Sequence, residues 1–163
     1  MPKQLKTRDL IAWAAGFIDG EGSVVISTRH PTPAERAKEH GSNQRHHAGQ
    51  LMLSLAVWQT KKEPLLRLLM LFGGRIYVSK ARSDHHAEAW QWRLLNQVAL
   101  DALLAMEPFL VNKAPHVRVA RDFRALVTGT TWGPPGMPDE EIEKRVVLRE
   151  AMRLLNQKGP RDA

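Results

Sequence analysis

The sequence predicts an α+β domain in the order α-β-β-α-β-β-α, followed by carboxy-terminal helices, with a four-stranded sheet covered on one face. Three observations predict it. Apolar residues alternate with period two in four short segments, they cluster at helical spacing in the stretches between, and glycine or proline marks the changes from one pattern to the other. At 163 residues, 43% hydrophobic and 25% charged, the chain is long enough for one domain with a sizeable core.

Leu10 to Ile18 (LIAWAAGFI) is alanine-rich and follows Thr7 and Asp9, either of which can serve as N-cap, so it reads as a helix that Gly20 and Gly22 end. Ser23 to Arg29 then alternates, with Val24 and Ile26 on one side and Ser23, Ser27 and Arg29 on the other. Residues 30–49 are polar, with two prolines, two glycines and four histidines, and read as a long mobile connection. In Gln50 to Gln59 the core face is Leu51, Leu53, Leu55 and Val57, opposite Gln50, Met52, Ser54 and Ala56. Glu63 to Phe72 has proline in its first turn and stops at Gly73-Gly74, the marks of a short helix. Two strands, Arg75 to Lys80 and Ala87 to Leu94, bracket the polar turn ARSDHH, and Ile76 and Val78 can meet Trp90 and Trp92 in a core. Asn96 to Met106, Pro115 to Thr128 and Pro138 to Gln157 read as helices. The turn-rich GTTWGPPGMP suggests a division into residues 1–130, the main domain, and 131–163, a linker and carboxy-terminal helix.

Composition narrows the partners. Residues 139–163 hold six acidic and six basic side chains, so the whole surplus of +7 lies in residues 1–138. A basic domain of this kind meets phosphate, in nucleic acid or at a membrane surface. The longest apolar run is nine residues, too short to span a bilayer, and MPKQLKTRDL has no apolar core of a secretory signal, so an intracellular protein without a membrane partner is expected. With no cysteine, thiolate nucleophiles, disulfides and cysteine-based zinc sites are excluded. The doublets His46-His47 and His85-His86 read as loop polar groups, because neighbours on a regular element point apart.

Ala12, Gly16 and Gly20 form a small-residue stripe along the first helix, so a second helix is expected to approach it closely. Asp19 and Glu21 stand where the helix dipole is already negative, each at an expense of about 0.3–1 kcal/mol, a local conflict that hints at function.

The run AAGFIDGEGS, Ala14 to Ser23, resembles the LAGLIDADG signature of homing endonucleases, with Ala14 at the first leucine and Glu21 at the second acid. The likeness continues through Val57-Trp58-Gln59, the FGG at Phe72 to Gly74 and the PFLVNK run ending in Lys113, and covers roughly residues 8–125. It implies a saddle-shaped antiparallel sheet. With one motif per chain it implies a homodimer packed along Ala12, Trp13, Gly16, Asp19 and Gly20, which brings both copies of Glu21 to the twofold axis. By resemblance, Glu21 and the Gly20 carbonyl hold Mg²⁺, with Mn²⁺ substituting and Ca²⁺ supporting binding without cleavage. Gln59 then orients water and Lys113 stabilises charge at the scissile phosphate, while Asp19 accepts hydrogen bonds at the helix end. Glu63 stands where the family often has a base, and whether Lys61 or Lys62 takes that part is left open.

A sheet with one apolar face leaves a second face for the major groove of double-stranded DNA, where base edges carry a unique donor and acceptor pattern. Parity assigns Ser27, Arg29, Gln50, Met52, Ser54, Arg75, Tyr77, Ser79, Gln91 and Arg93 to it, and Arg36, Lys38 and Arg45 in the polar connection extend the contact, with Lys61 and Arg82. The activity implied is metal-dependent hydrolysis of both strands at a long, near-palindromic site, in a freestanding product of an intron reading frame. Two alternatives share the fold: a maturase that binds intron RNA, and a DNA-binding regulator without cleavage.

Overall fold

The computed structural model describes residues 7–28, 51–79, 88–132 and 136–157. Within them the chain runs α1 (Thr7–Glu21), β1 (Gly22–Thr28), β2 (Leu51–Gln59), α2 (Glu63–Phe72), β3 (Arg75–Ser79) and β4 (Ala89–Leu95). There follow α3 (Asn96–Met106), a 3-10 turn (Glu107–Phe109), α4 (Ala114–Val127) and α5 (Asp139–Leu155). The α+β class and the element order are those the sequence predicts.

The strands form one antiparallel sheet in the order β1-β2-β4-β3. Register places Val24 opposite Leu55, Ile26 opposite Leu53, and Trp92 between Val57 and Ile76. These residues share the face on which the helices pack, and Ala14 and Ile18 of α1, Leu65 and Leu68 of α2, Leu103 of α3, Phe123 of α4 and Met152 of α5 complete the core. Each large apolar side chain fully buried there contributes about 1.5–3 kcal/mol. The expected core pairing stops at Trp92: Val78 lies opposite Trp90 but is 47% exposed, because β3 is an edge strand.

Helix α1 departs from expectation at both ends. Among the described residues it is helical from Thr7 on, which puts Asp9 inside the helix, where a carboxylate near the amino-terminal end suits the dipole without capping. At the other end it runs through Gly20 to Glu21 and enters β1 at Gly22 with no intervening loop. A glycine costs a helix about 1 kcal/mol relative to alanine, too little to end one whose neighbouring Ile18 is fully buried. The junction is tight. A Cβ on Gly22 would lie 2.5 Å from the Ile18 carbonyl oxygen, so only glycine lets the strand leave the helix this closely.

Helix α2 ends where expected. Gly73 has φ +71° and donates its N–H to the Leu69 carbonyl at 2.8 Å, and the Trp92 indole N–H reaches the Gly73 carbonyl at 2.9 Å. The carboxy-terminal helix α5 carries Asp139, Glu140 and Glu141 in its first turn and packs on α4 and β1.

Candidate active site and nucleic-acid face

The site is built where α1 passes into β1. Glu21 is the last helical residue, and both it and Gly20 are exposed. Carbonyls of a last helical turn have no partner within the helix, so this end offers oxygen donors beside the Glu21 carboxylate. Gln59 ends β2 two residues beyond Val57, the partner of Gly22, which sets the half-buried Gln59 at the same end of the sheet.

Lys113 reaches this end through Asp19. The Asp19 carboxylate accepts the backbone N–H of Val111 at 2.6 Å through Oδ2 and that of Lys113 at 2.8 Å through Oδ1. Lys113 is the residue before α4, so Asp19, awkward at the end of α1, sits at the positive end of another helix. Asp19→Ala is expected to lower unfolding free energy by about 2–4 kcal/mol in urea denaturation, since two charge-assisted bonds are lost. A loss under about 1 kcal/mol would show that the loop holds itself.

Both lysines before α2 are exposed, but Lys62 has its ammonium 4.5 Å from the centre of the Trp90 ring, a contact not seen for Lys61 among the described residues. Lys61 is therefore the freer base at this edge.

On the sheet face away from the helices, register lines up two cross-strand rows. One is Ala56, Arg93 and Arg75, and the next is Trp58, Gln91 and Tyr77. Like charges directly opposite one another destabilise a strand pair, so Arg75 against Arg93 suits an anionic ligand better than the free protein. Trp58 is 51% exposed and Tyr77 44%. Trp58 is absent from the residues parity selected above, although it shares the parity of Met52, Ser54 and Ala56. Ser27 pairs with Met52 further along, both half-buried, and Ser79 pairs with Ala89 at the end of β3. Ser54 does not join the open face: flanked by Val25 and Leu95 in a central strand it is 2% exposed, too buried to reach a base edge. Arg29, Arg36, Lys38, Arg45, Gln50, Arg82 and both histidine doublets lie outside the described residues.

Along α1, Ala12 is half-buried while Gly16 and Gly20 are exposed, and a Cβ built on either glycine meets nothing within 4 Å. Nothing described within the protomer requires glycine there. Trp13 stacks on Phe17 with centroids 5.5 Å apart, and the Arg67 guanidinium lies 5.6 Å from its ring, which ties Trp13 toward α2. Among the described residues no three His, Cys, Asp or Glu side chains cluster as a metal site, and no helix is long and apolar enough to cross a membrane.

No family model matches the sequence, and no curated protein matches it. Solved structures do match. The homing endonuclease I-CvuI, in complex with the I-CreI target, is 19% identical with a TM-score of 0.66, over 95% of this chain and 87% of that one. The archaeal intron-encoded homing endonuclease I-Vdi141I, complexed with DNA, is 19% identical with a TM-score of 0.65, over 94% and 87%. The LAGLIDADG homing endonuclease I-SmaMI, bound to cleaved DNA, is 17% identical with a TM-score of 0.57, and this chain covers 50% of its length. The helix that ends in Glu21, the strands it feeds and the turn that Asp19 draws in thus make up the fold of the LAGLIDADG homing endonucleases.

Proposed function

We propose that the protein is a homodimeric, metal-dependent endonuclease that cuts both strands of a long, near-palindromic DNA site. The observation that carries the reading is the meeting of the α1 end, with Glu21, and the turn bearing Lys113, 92 residues away in sequence and joined through Asp19. A pure binding protein has no need of an exposed carboxylate on a face that would meet phosphate. Similarity to I-CvuI and I-Vdi141I, both described with DNA, supports the substrate class.

Among the described residues, one protomer brings too few ligands for a closed metal site. Its donor set, a carboxylate and a helix-end carbonyl, is hard oxygen, which fits Mg²⁺ or Ca²⁺ with water and phosphate oxygens filling the rest. I-CvuI structures were obtained with Mg or Ca present, which supports that choice. A bound divalent ion supplies charge neutralisation at the phosphate and water activation. Glu21 and the Gly20 carbonyl would hold it, two copies meeting along the Gly16 and Gly20 face. Gln59 orients water for in-line attack, and the Lys113 ammonium stabilises the charge developing on the phosphate. Arg75 and Arg93 suit guanine edges and Gln91 adenine, while Met52, Tyr77 and Trp58 offer apolar contact to thymine methyls.

The test is selection from a randomised duplex library in Ca²⁺, followed by exchange into Mg²⁺ and sequencing of sites and ends. A long near-palindrome cut on both strands only after Mg²⁺ establishes the reading, with affinity falling steeply as salt rises. Enrichment without cutting points to the DNA-binding regulator. Failure to enrich duplex DNA makes intron RNA the ligand to try.

A further inference from the structure

We propose that Asn156, just past the end of α5, and His116, in the first turn of α4, form a positioning pair that holds the Lys113 turn against the strand that follows Glu21. The kinetic part of the proposal rests on the nuclease reading above; the proton part does not.

The geometry fixes the protons. The Asn156 amide nitrogen donates to the Val24 carbonyl at 2.8 Å and to the Met152 carbonyl at 3.0 Å, which uses both amide hydrogens. Its oxygen therefore faces His116, whose Nε2 lies 3.2 Å away. A carbonyl oxygen only accepts, so Nε2 carries the hydrogen and the neutral ring leaves Nδ1 bare. Among the described residues Nδ1 has no hydrogen-bond partner, and the residue is only 4% exposed. Protonation would put a donor there with nothing to accept it, in addition to burying a cation.

The surroundings agree. Burial pushes the His116 imidazole below its ordinary value and Lys113 adds to this, while the Asn156 bond and Asp19 pull it up. Among the described residues Lys113 and Asp19 are the charged groups that act on the ring, so it lies within reach of the same turn that Asp19 clamps from α1. Val24 follows Glu21 by three residues and His116 follows Lys113 by three, so one amide bonds to the chain three residues beyond each half of the candidate site. Helix α5 lies outside the motif resemblance, yet the asparagine just past its end bonds to both β1 and α4. A positioning group displaced by a fraction of an ångström is felt in the rate rather than in the affinity.

The experiment uses the full chain with a selected target, and the variants Asn156→Leu, Asn156→Asp and His116→Gln, the last to assign the ring signal. Asn156→Leu is expected to slow single-turnover cleavage at least about tenfold with DNA affinity within about twofold. By NMR the wild-type His116 ring titrates below its ordinary value, whereas Asn156→Asp, offering a carboxylate, raises its titration above that of the wild type. In Asn156→Asp, cleavage then falls with the new titration as a cation forms beside Lys113. Cleavage by Asn156→Leu within about twofold of wild type overturns the positioning role. An unshifted ring in Asn156→Asp overturns the proton assignment, and it decides the matter alone if Asn156→Leu does not fold. If the wild type cuts no DNA, the nuclease reading falls and the ring titration still decides whether the pair is locked.

Discussion

Glu21→Gln is expected to leave DNA binding and dimerisation intact and to reduce cleavage at least about a thousandfold. Glutamine keeps the shape and the helix end but removes the charge, and a neutral amide oxygen is a poor ligand for a hard divalent cation. Glu21 is exposed and has no role in the core, so the fold should not register the change. Plasmid nicking and linearisation in Mg²⁺ measure the effect, with gel shift in Ca²⁺ as control. Wild-type cutting by this variant would remove Glu21 from the metal site and with it the central assignment.

Gly16→Leu should produce a folded monomer that neither dimerises nor makes double-strand breaks. The two halves of that expectation have different origins. Inside the protomer Gly16 is exposed and a Cβ there meets nothing within 4 Å, so a side chain can leave the helix, and the substitution should gain up to about 1 kcal/mol of helix propensity. Between protomers a leucine on the small stripe separates two helices that need close backbone approach. Sedimentation gives the oligomeric state, and loss of the dimer also removes whatever stability mass action lends it. A tight dimer of Gly16→Leu would place the interface elsewhere on the molecule.

The bounds of α2 and α3 were legible to the residue, because a proline in the first turn, a glycine pair and the breaks between strand and helix patterns are local signals. The far end of α1 was not. Gly20 reads as a stop, yet burial of Ile18 and the long-range bonds to Asp19 carry the helix onward, and neither is visible in a window of ten residues. Strand parity found the rows around Arg75 and Arg93 but treated β2 as open on one face, whereas a central strand flanked on both sides buries Ser54. Lys113 was placed by resemblance alone. The bond between His116 and Asn156 spans 40 residues and depends on how α5 docks, for which no periodicity speaks.

The seamless passage from α1 into β1 makes the molecule a ruler. With Glu21 helical, Gly22 already in the strand and the Ile18 carbonyl filling the space where a side chain would sit, there is no slack between the helix and the strand. In the proposed dimer, the distance and angle at which two α1 helices cross are therefore transmitted undiminished to the two reading sheets. One base pair inserted at the centre of the target displaces the far half-site by about 3.4 Å along the axis and about a tenth of a turn around it. A rigid junction cannot follow that displacement, so in such a dimer the gap between half-sites would be set by how the two α1 helices pack along the Gly16 and Gly20 face, which itself touches no base.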